Sequence, residues 1–138
     1  MIINADDFGK NSDTNAAILA AFEKDLCNST SIMANMPGFE EACCLAQSKN
    51  LVGVVGIHFV LTEGLPLTDA IKKYPRFCSD AGVFHGQRRR HFRLSRHERQ
   101  AVLEELRAQA RKCRFHGLSI SHADSHHHVH EEWGYCRA

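Results

Sequence analysis

Leu118-Ser119-Ile120-Ser121-His122-Ala123-Asp124-Ser125-His126-His127-His128-Val129-His130 is the stretch on which the reading of the chain turns. Leu118 to Ala123 predicts a short strand, and the polar residues that follow lie at its C-terminal end. His122, His126, His127, His128 and His130 gather there, five of the ten histidines in the chain. Parallel α/β folds build their active sites on the rim formed by the C-terminal ends of the strands. Extended backbone beyond Asp124 would put His126, His128 and His130 on one side and His127 on the other. Immediately upstream lies the clearest helix of the sequence. Ser95-x-x-Glu98 is a capping box, Val102, Leu103, Leu106 and Ala110 form the apolar stripe, and Gly117 sits just past the end.

The same alternation extends toward the N-terminus. Met1 to Ala5 reads as a short apolar strand that stops at Asp6 and Asp7. Ser12 or Asp13 can cap a helix carrying Ala16, Ala17, Ile18, Leu19, Ala20 and Phe22. Ser29 to Asn35 is the second strand, stopped by Pro37-Gly38, and Phe39 to Ser48 is a helix through Phe39, Ala42, Cys43 and Ala46. Val52 to Phe59, β-branched and glycine-punctuated, makes a third, buried strand. Between Leu61 and Leu94 the periodicity is broken by Gly64, Pro66, Pro75, Gly82 and Gly86. Arg88-Arg89-Arg90, His91, Arg93, Arg96 and Arg99 form a basic stretch, read either as a solvated loop and helix entry or as a clamp for an acidic substrate group. The order β-α-β-α-β-loop-α-β predicts an α/β fold of parallel strands joined by right-handed crossovers.

Length and composition bound the rest. The 138 residues suit one domain, and 17 Lys+Arg against 16 Asp+Glu leave a formal charge of +1, which argues against a general nucleic-acid binder. At 43% hydrophobic and 24% charged the composition is that of a globular chain. No apolar run approaches the ~20 residues of a membrane helix, and Asp6 and Asp7 interrupt the first run too early for a secretory signal. The expectation is a soluble, cytoplasmic protein without membrane or nucleic-acid partners. Cys27, Cys43, Cys44, Cys78, Cys113 and Cys136 contain no C-x-x-C pair and read as free, buried thiols.

Polar residues fall at each predicted strand exit: Asp6-Asp7, Asn35, His58 and Asp124-Ser125-His126. One Asp and two His from such exits make a divalent metal site, with water in the remaining positions. A neighbouring carboxylate can then act as general base, which is the apparatus for hydrolysing an amide or ester. Two His and one carboxylate also suit a non-haem iron oxygenase, although no co-substrate site for that chemistry is evident in the sequence.

Asn4-Ala5-Asp6-Asp7-Phe8-Gly9, Gly56-Ile57-His58-Phe59-Val60-Leu61-Thr62-Glu63-Gly64 and His122-Ala123-Asp124-Ser125-His126-His127-His128-Val129-His130 resemble the three signature segments of the YdjC-like carbohydrate deacetylases, chito-oligosaccharide deacetylases among them. The resemblance runs in order from about Ile2 to His130. It implies removal of N-acetyl groups from amino sugars by the N-terminal half of a distorted β/α deacetylase barrel. It also implies Asp7, His58 and His126 as metal ligands and Asp6 as the base, with magnesium as the ion. The donor set by itself leans to zinc, which stays as the alternative. Asn35, Thr62 and Glu63 are expected on the same rim, without an assigned role. His128 and His130 are candidates for the acid. A complete β/α barrel takes ~250 residues, so residues 1–138 are expected to be a single, truncated domain that self-associates through its open strand edges. A catalytically silent metal- or sugar-binding half-barrel is the competing reading.

Overall fold

In the computed structural model, residues 1–86 and 93–131 are described. Arg88 to His91 of the basic stretch and the C-terminal segment with Cys136 lie outside them. The strands β1 (Asn4–Phe8), β2 (Ser29–Ile32), β3 (Val55–Phe59) and β4 (Ala123–Ser125) form one sheet in the order β1-β2-β3-β4. All three pairings are parallel. Helices α1 (Ser12–Glu23), α2 (Phe39–Ser48), α3 (Asp69–Lys72) and α4 (Arg96–Phe115) lie in the connections. Neighbours in sequence are neighbours in the sheet, which βαβ crossovers produce. The α/β expectation therefore holds.

Strand alternation divides the sheet into two chemically different faces. Phe8, Ile32, Val55 and Ile57 pack with Ile18 of α1, Phe39, Ala42, Cys43 and Ala46 of α2 and Cys113 of α4 into the main core. The other face carries Asn4, Asp6, Ser31, His58 and Asp124, joined by hydrogen bonds. A second core, around Leu61, Ile71, Phe77, Phe84, Val102 and Val129, lies beneath the segment that follows β3.

Several boundaries differ from the sequence reading, each for a local reason. β1 does not stop before Asp6; it begins at Asn4 and runs through both aspartates, leaving Met1 and Ile2 exposed. The fully buried Phe8, paired with Ile32, draws the strand that far. The cap of α1 is Asn11, whose carboxamide oxygen accepts from Thr14 N at 2.8 Å, and not Ser12 or Asp13. Extended backbone at Asn11 puts its side chain within reach of that orphan amide. β2 ends at Ile32, three residues before Asn35. Val52–Val54 is a 3-10 turn ahead of β3. Leu118 to His122 already run beside β3, with Ser121 N donating to Val55 O and Ile57 N to His122 O, but regular β4 starts only at Ala123.

The capping box of α4 is present as read. Its buried stripe differs: Ala101, Val102, Glu105, Gln109 and Cys113 are buried, whereas Leu103, Leu106 and Ala110 are half-buried. Two polar side chains are tolerated there because both are saturated. The Glu105 carboxylate accepts from Leu67 N, Thr68 N, Thr68 Oγ1 and Gln109 Nε2 at 2.8–3.0 Å. Gln109 binds Val60 N at 3.0 Å and Val60 O at 2.7 Å. The irregular segment after β3 is thereby stitched to a rigid helix. Cys27, Cys43, Cys78 and Cys113 are free and buried, and burial pushes the Cys43 and Cys113 thiols up to about 12. Cys44 corrects the uniform expectation: it is free but exposed, since adjacent helical side chains diverge.

Candidate metal centre

Asp6 and Asp7 sit in an interruption of the β1 ladder, between the pairs Ala5↔Thr30 and Phe8↔Ile32. Asp7 adopts φ 69°, the left-handed region, and this turns its carboxylate off the strand's alternation. Gly9 follows at φ 87°, where a Cβ would lie 3.2 Å from Phe39 Cα. Its amide donates to the buried Asn15 side chain at 2.7 Å, which fixes the turn after the aspartates.

His58 arrives from the interior of the sheet and is buried. The turn after β4 brings in His126. Its backbone is not the extended run that would put His126, His128 and His130 on one side: residues His126–Glu131 form 3-10 turns with His127 at φ 56° and His128 at φ 53°. Ser125 Oγ, which lies 2.6 Å from His130 Nδ1 and accepts from His130 N, closes the turn. His126 and Val129 consequently point inward, while His128 and His130 are exposed.

Asp7 Oδ1 lies 3.2 Å from His58 Nε2 and 3.0 Å from His126 Nδ1. It is nevertheless a buried oxygen without a hydrogen-bond donor. The explanation is on the far side of each ring. His58 Nδ1 faces Asp124 Oδ1 at 2.6 Å, and His126 Nε2 faces Glu63 Oε2 at 2.8 Å. A carboxylate accepts only, so a neutral imidazole keeps its one proton on that far side, away from Asp7. A carboxylate oxygen and two imidazole lone pairs thus converge on one point. These atoms lie within 4.8 Å of one another. The set fits a divalent cation, with a carboxylate orienting each histidine from behind. Asp7, His58 and His126, the three sequence-chosen ligands, are brought together.

Charge follows the geometry. His126, then His58, hold the Asp7 carboxyl far below the ordinary range against the opposing effect of burial. Burial pushes His58 down, but Asp124 and then Asp7 outweigh it and raise the ring to about 9. Burial pushes Asp124 and Glu63 up; His58 and Ser31 overcome it for Asp124, and Lys10 and His126 for Glu63. Lys10 Nζ stands 3.1 Å from Glu63 Oε2 and 3.7 Å from Asp7 Oδ2, on the rim of the site.

Asp6 is exposed beside the centre, its Oδ1 accepting from Asn4 Nδ2 at 2.8 Å. Asn35 does reach the rim, donating to Glu63 O and Leu65 O and so shaping the segment that carries Glu63. Thr62 Oγ1 lies 3.0 Å from His127 Nδ1, and the His127 ring leans on His126 with centroids 3.9 Å apart. The sequence reading gave Asn4, Lys10, Ser31 and Glu63 no role here. Asn4 and Glu63 lay within the quoted signature segments, and Ser31 showed as a polar residue inside a strand beside Ile32.

The chain matches the YdjC-like protein family over residues 1–137. It is 44% identical over 130 residues to the carbohydrate deacetylase of Geobacillus stearothermophilus, covering 94% of this chain and 50% of that protein. It is 36% identical over 132 residues to the chitooligosaccharide deacetylase of Serratia marcescens, again across half of that protein. The chain spans about half the length of the curated relatives it matches. A crystal structure from Enterococcus faecalis V583, given the working name cellobiose-phosphate cleavage protein, superposes with a TM-score of 0.77 at 30% identity, over 94% of this chain and 49% of that one. Sequence match and fold agree along nearly the whole chain, which belongs to the YdjC-like protein family.

Proposed function

We propose that the chain carries the metal centre of a carbohydrate deacetylase that hydrolyses N-acetyl groups of amino sugars such as chito-oligosaccharides. The observation that supports this best is the convergence of Asp7 Oδ1, His58 Nε2 and His126 Nδ1, each histidine held from behind by a carboxylate, with the Asp6 carboxylate alongside. The deacetylase names of the relatives point the same way. Magnesium is taken first, from the family resemblance, and zinc second, because two imidazoles suit a softer ion. Residues 1–138 are read as a single domain that acts in the cytoplasm and self-associates. Among the described residues no helix is long and apolar enough to cross a membrane.

Held by Asp7, His58 and His126, a divalent ion would polarise the acetamide carbonyl and lower the pKa of the attacking water. Asp124 and Glu63 keep both imidazoles in the tautomer that leaves a lone pair toward Asp7. Asp6 takes the proton from water as its oxygen bonds to the carbonyl carbon. The C–N bond then breaks, the nitrogen takes up a proton, and acetate and a primary amine leave.

A second reading, binding of metal or sugar without turnover, needs only the convergence of Asp7, His58 and His126 and no role for the exposed Asp6. Acetate release from N-acetylglucosamine oligomers, measured with Mg²⁺ or Zn²⁺ on the wild type and on His58→Ala, separates the two. Ion-dependent release that His58→Ala abolishes is expected. Stoichiometric ion binding with no acetate would favour the silent reading.

A further inference from the structure

On the polar face of the sheet, Asn4 touches more of the centre than the ligands and base require. Its Nδ2 donates to Asp6 Oδ1 at 2.8 Å and lies 3.1 Å from Ser31 Oγ and 3.4 Å from Asp124 Oδ2. Its Oδ1 faces His122 Nε2 at 3.2 Å. Ser31 Oγ in turn donates to Asp124 Oδ2 at 2.8 Å and stands 3.2 Å from His58 Nδ1. The His122 ring fits there because residue 56 is glycine: a Cβ would fall 2.4 Å from His122 Nε2.

The same face poses a problem. Asp6, His58 and Asp124 offer ligand atoms within 4.8 Å of one another, a second cation position that shares His58 with the first. A cation bound there would turn Asp6 from base into ligand and compete with His58 for Asp124. Asn4 Nδ2 bonds to both carboxylates, and an amide nitrogen is a donor with no lone pair to give a cation.

We infer that Asn4 is a positioning residue whose amide bridges Asp6 and Asp124, keeping Asp6 free as the base and confining the ion to Asp7, His58 and His126. This rests on the deacetylase reading of the site. Asn4→Asp is the sharp test, because it keeps the shape but replaces the donors with oxygen. Three carboxylates and the Ser31 hydroxyl would then line one small space, a donor set that suits a hard divalent cation. Asn4→Ala removes the bridge and adds no ligand.

The experiment measures bound Mn²⁺ by elemental analysis after gel filtration, with acetate release from N-acetylglucosamine oligomers in parallel. The wild type should hold one ion. Asn4→Ala should also hold one, with kcat lowered about 10-fold or more at unchanged KM. Asn4→Asp should hold two, a gain that a merely structural role for Asn4 would not produce. One ion in both variants with wild-type kcat would overturn the inference and leave the deacetylase reading standing. A wild type that binds one ion without releasing acetate would sink that reading, while the ion count of Asn4→Asp would still decide the inference. A wild type that binds no ion would end both.

Discussion

Replacing Asp124 by Asn removes the charge behind His58 while leaving its shape. Two opposing effects on ion affinity follow, and pH separates them. In the ion-free protein His58 sits at about 9, so at pH 7 only about 1% of rings are neutral. The ion must displace that proton, which weakens apparent affinity at pH 7 by roughly 100-fold. Wild-type affinity should therefore climb about tenfold per pH unit through the neutral range and flatten near pH 9. Without the Asp124 carboxylate the ring loses its main support for the charged form, and proton competition eases. Orientation is lost at the same time. An amide NH₂ turned toward His58 would move the ring proton to Nε2, against Asp7. Turned the other way it meets the donors of Ser31 and Asn4, which now lie 2.8 and 3.4 Å from Asp124 Oδ2. Loss of such an outer carboxylate typically lowers metal affinity ~10–100-fold. The full loss should appear at pH 9.5, where competition is absent, and shrink toward pH 6.5, giving a flatter curve. Zn²⁺ titration against a chromophoric chelator from pH 6.5 to 9.5 reads this directly. A variant curve parallel to the wild type, with equal affinity at pH 9.5, would refute Asp124 as the group that sets His58.

The remaining expectations concern separate parts of the molecule. His58→Ala should empty the centre, whereas His127→Ala, which removes a stacked ring and no ligand, should leave the metal content unchanged; elemental analysis of both decides the assignment. Asp6→Asn should keep the ion and lower kcat by ~10²–10⁴, while Asp7→Asn should lose the ion, and exchanged phenotypes would mean exchanged roles. Glu105→Ala strands several donors of the segment after β3 and should cost about 3 kcal/mol in urea unfolding, an unchanged midpoint speaking against the stitch. Because β1 and β4 are the sheet edges among the described residues, residues 1–138 produced alone should self-associate or be marginally stable. A stable monomer on size exclusion would contradict this.

Element type was legible wherever a regular period and its punctuation coincide. Phe39–Ser48 and the Ser95–Glu98 capping box were read as they stand, because apolar spacing, cap and stop signals all agree there. Buried Glu105 and Gln109 were not legible, since their partners are backbone groups more than thirty residues away in sequence. The candidate triad Asp7, His58 and His126 was visible through its motifs, each at or near a strand end. Glu63 was placed on the rim but given no task, for the bond to His126 exists only once the turn after β4 has formed. The extended alternative weighed for residues 126–130 is not the conformation adopted. Left-handed backbone at His127 and His128 is not encoded by any glycine; it goes with the local Ser125–His130 contact and the long-range Thr62–His127 contact.

The aspartate pair shows why sequence adjacency and spatial adjacency had to be reconciled by a distortion. In an undistorted strand, successive side chains point to opposite faces, so one of Asp6 and Asp7 would be driven into the apolar core beside Phe8. The proposed base and ligand of one centre would then face opposite sides of the sheet. The ladder slips between Ala5 and Phe8, and Asp7 takes a left-handed conformation that costs a β-branched or bulky residue more than it costs Asp. Phe8 then regains the core face, pairs with Ile32, and receives Met33 N on its carbonyl at 2.7 Å. The strain is thus bounded on both sides by regular pairing, as stored backbone strain at a functional site must be to persist. Asp7→Asn follows as the clean probe of the ligand, because Asn enters the left-handed region as readily as Asp, and a loss of ion in that variant with the unfolding midpoint unchanged would assign the effect to the carboxylate and not to the bulge.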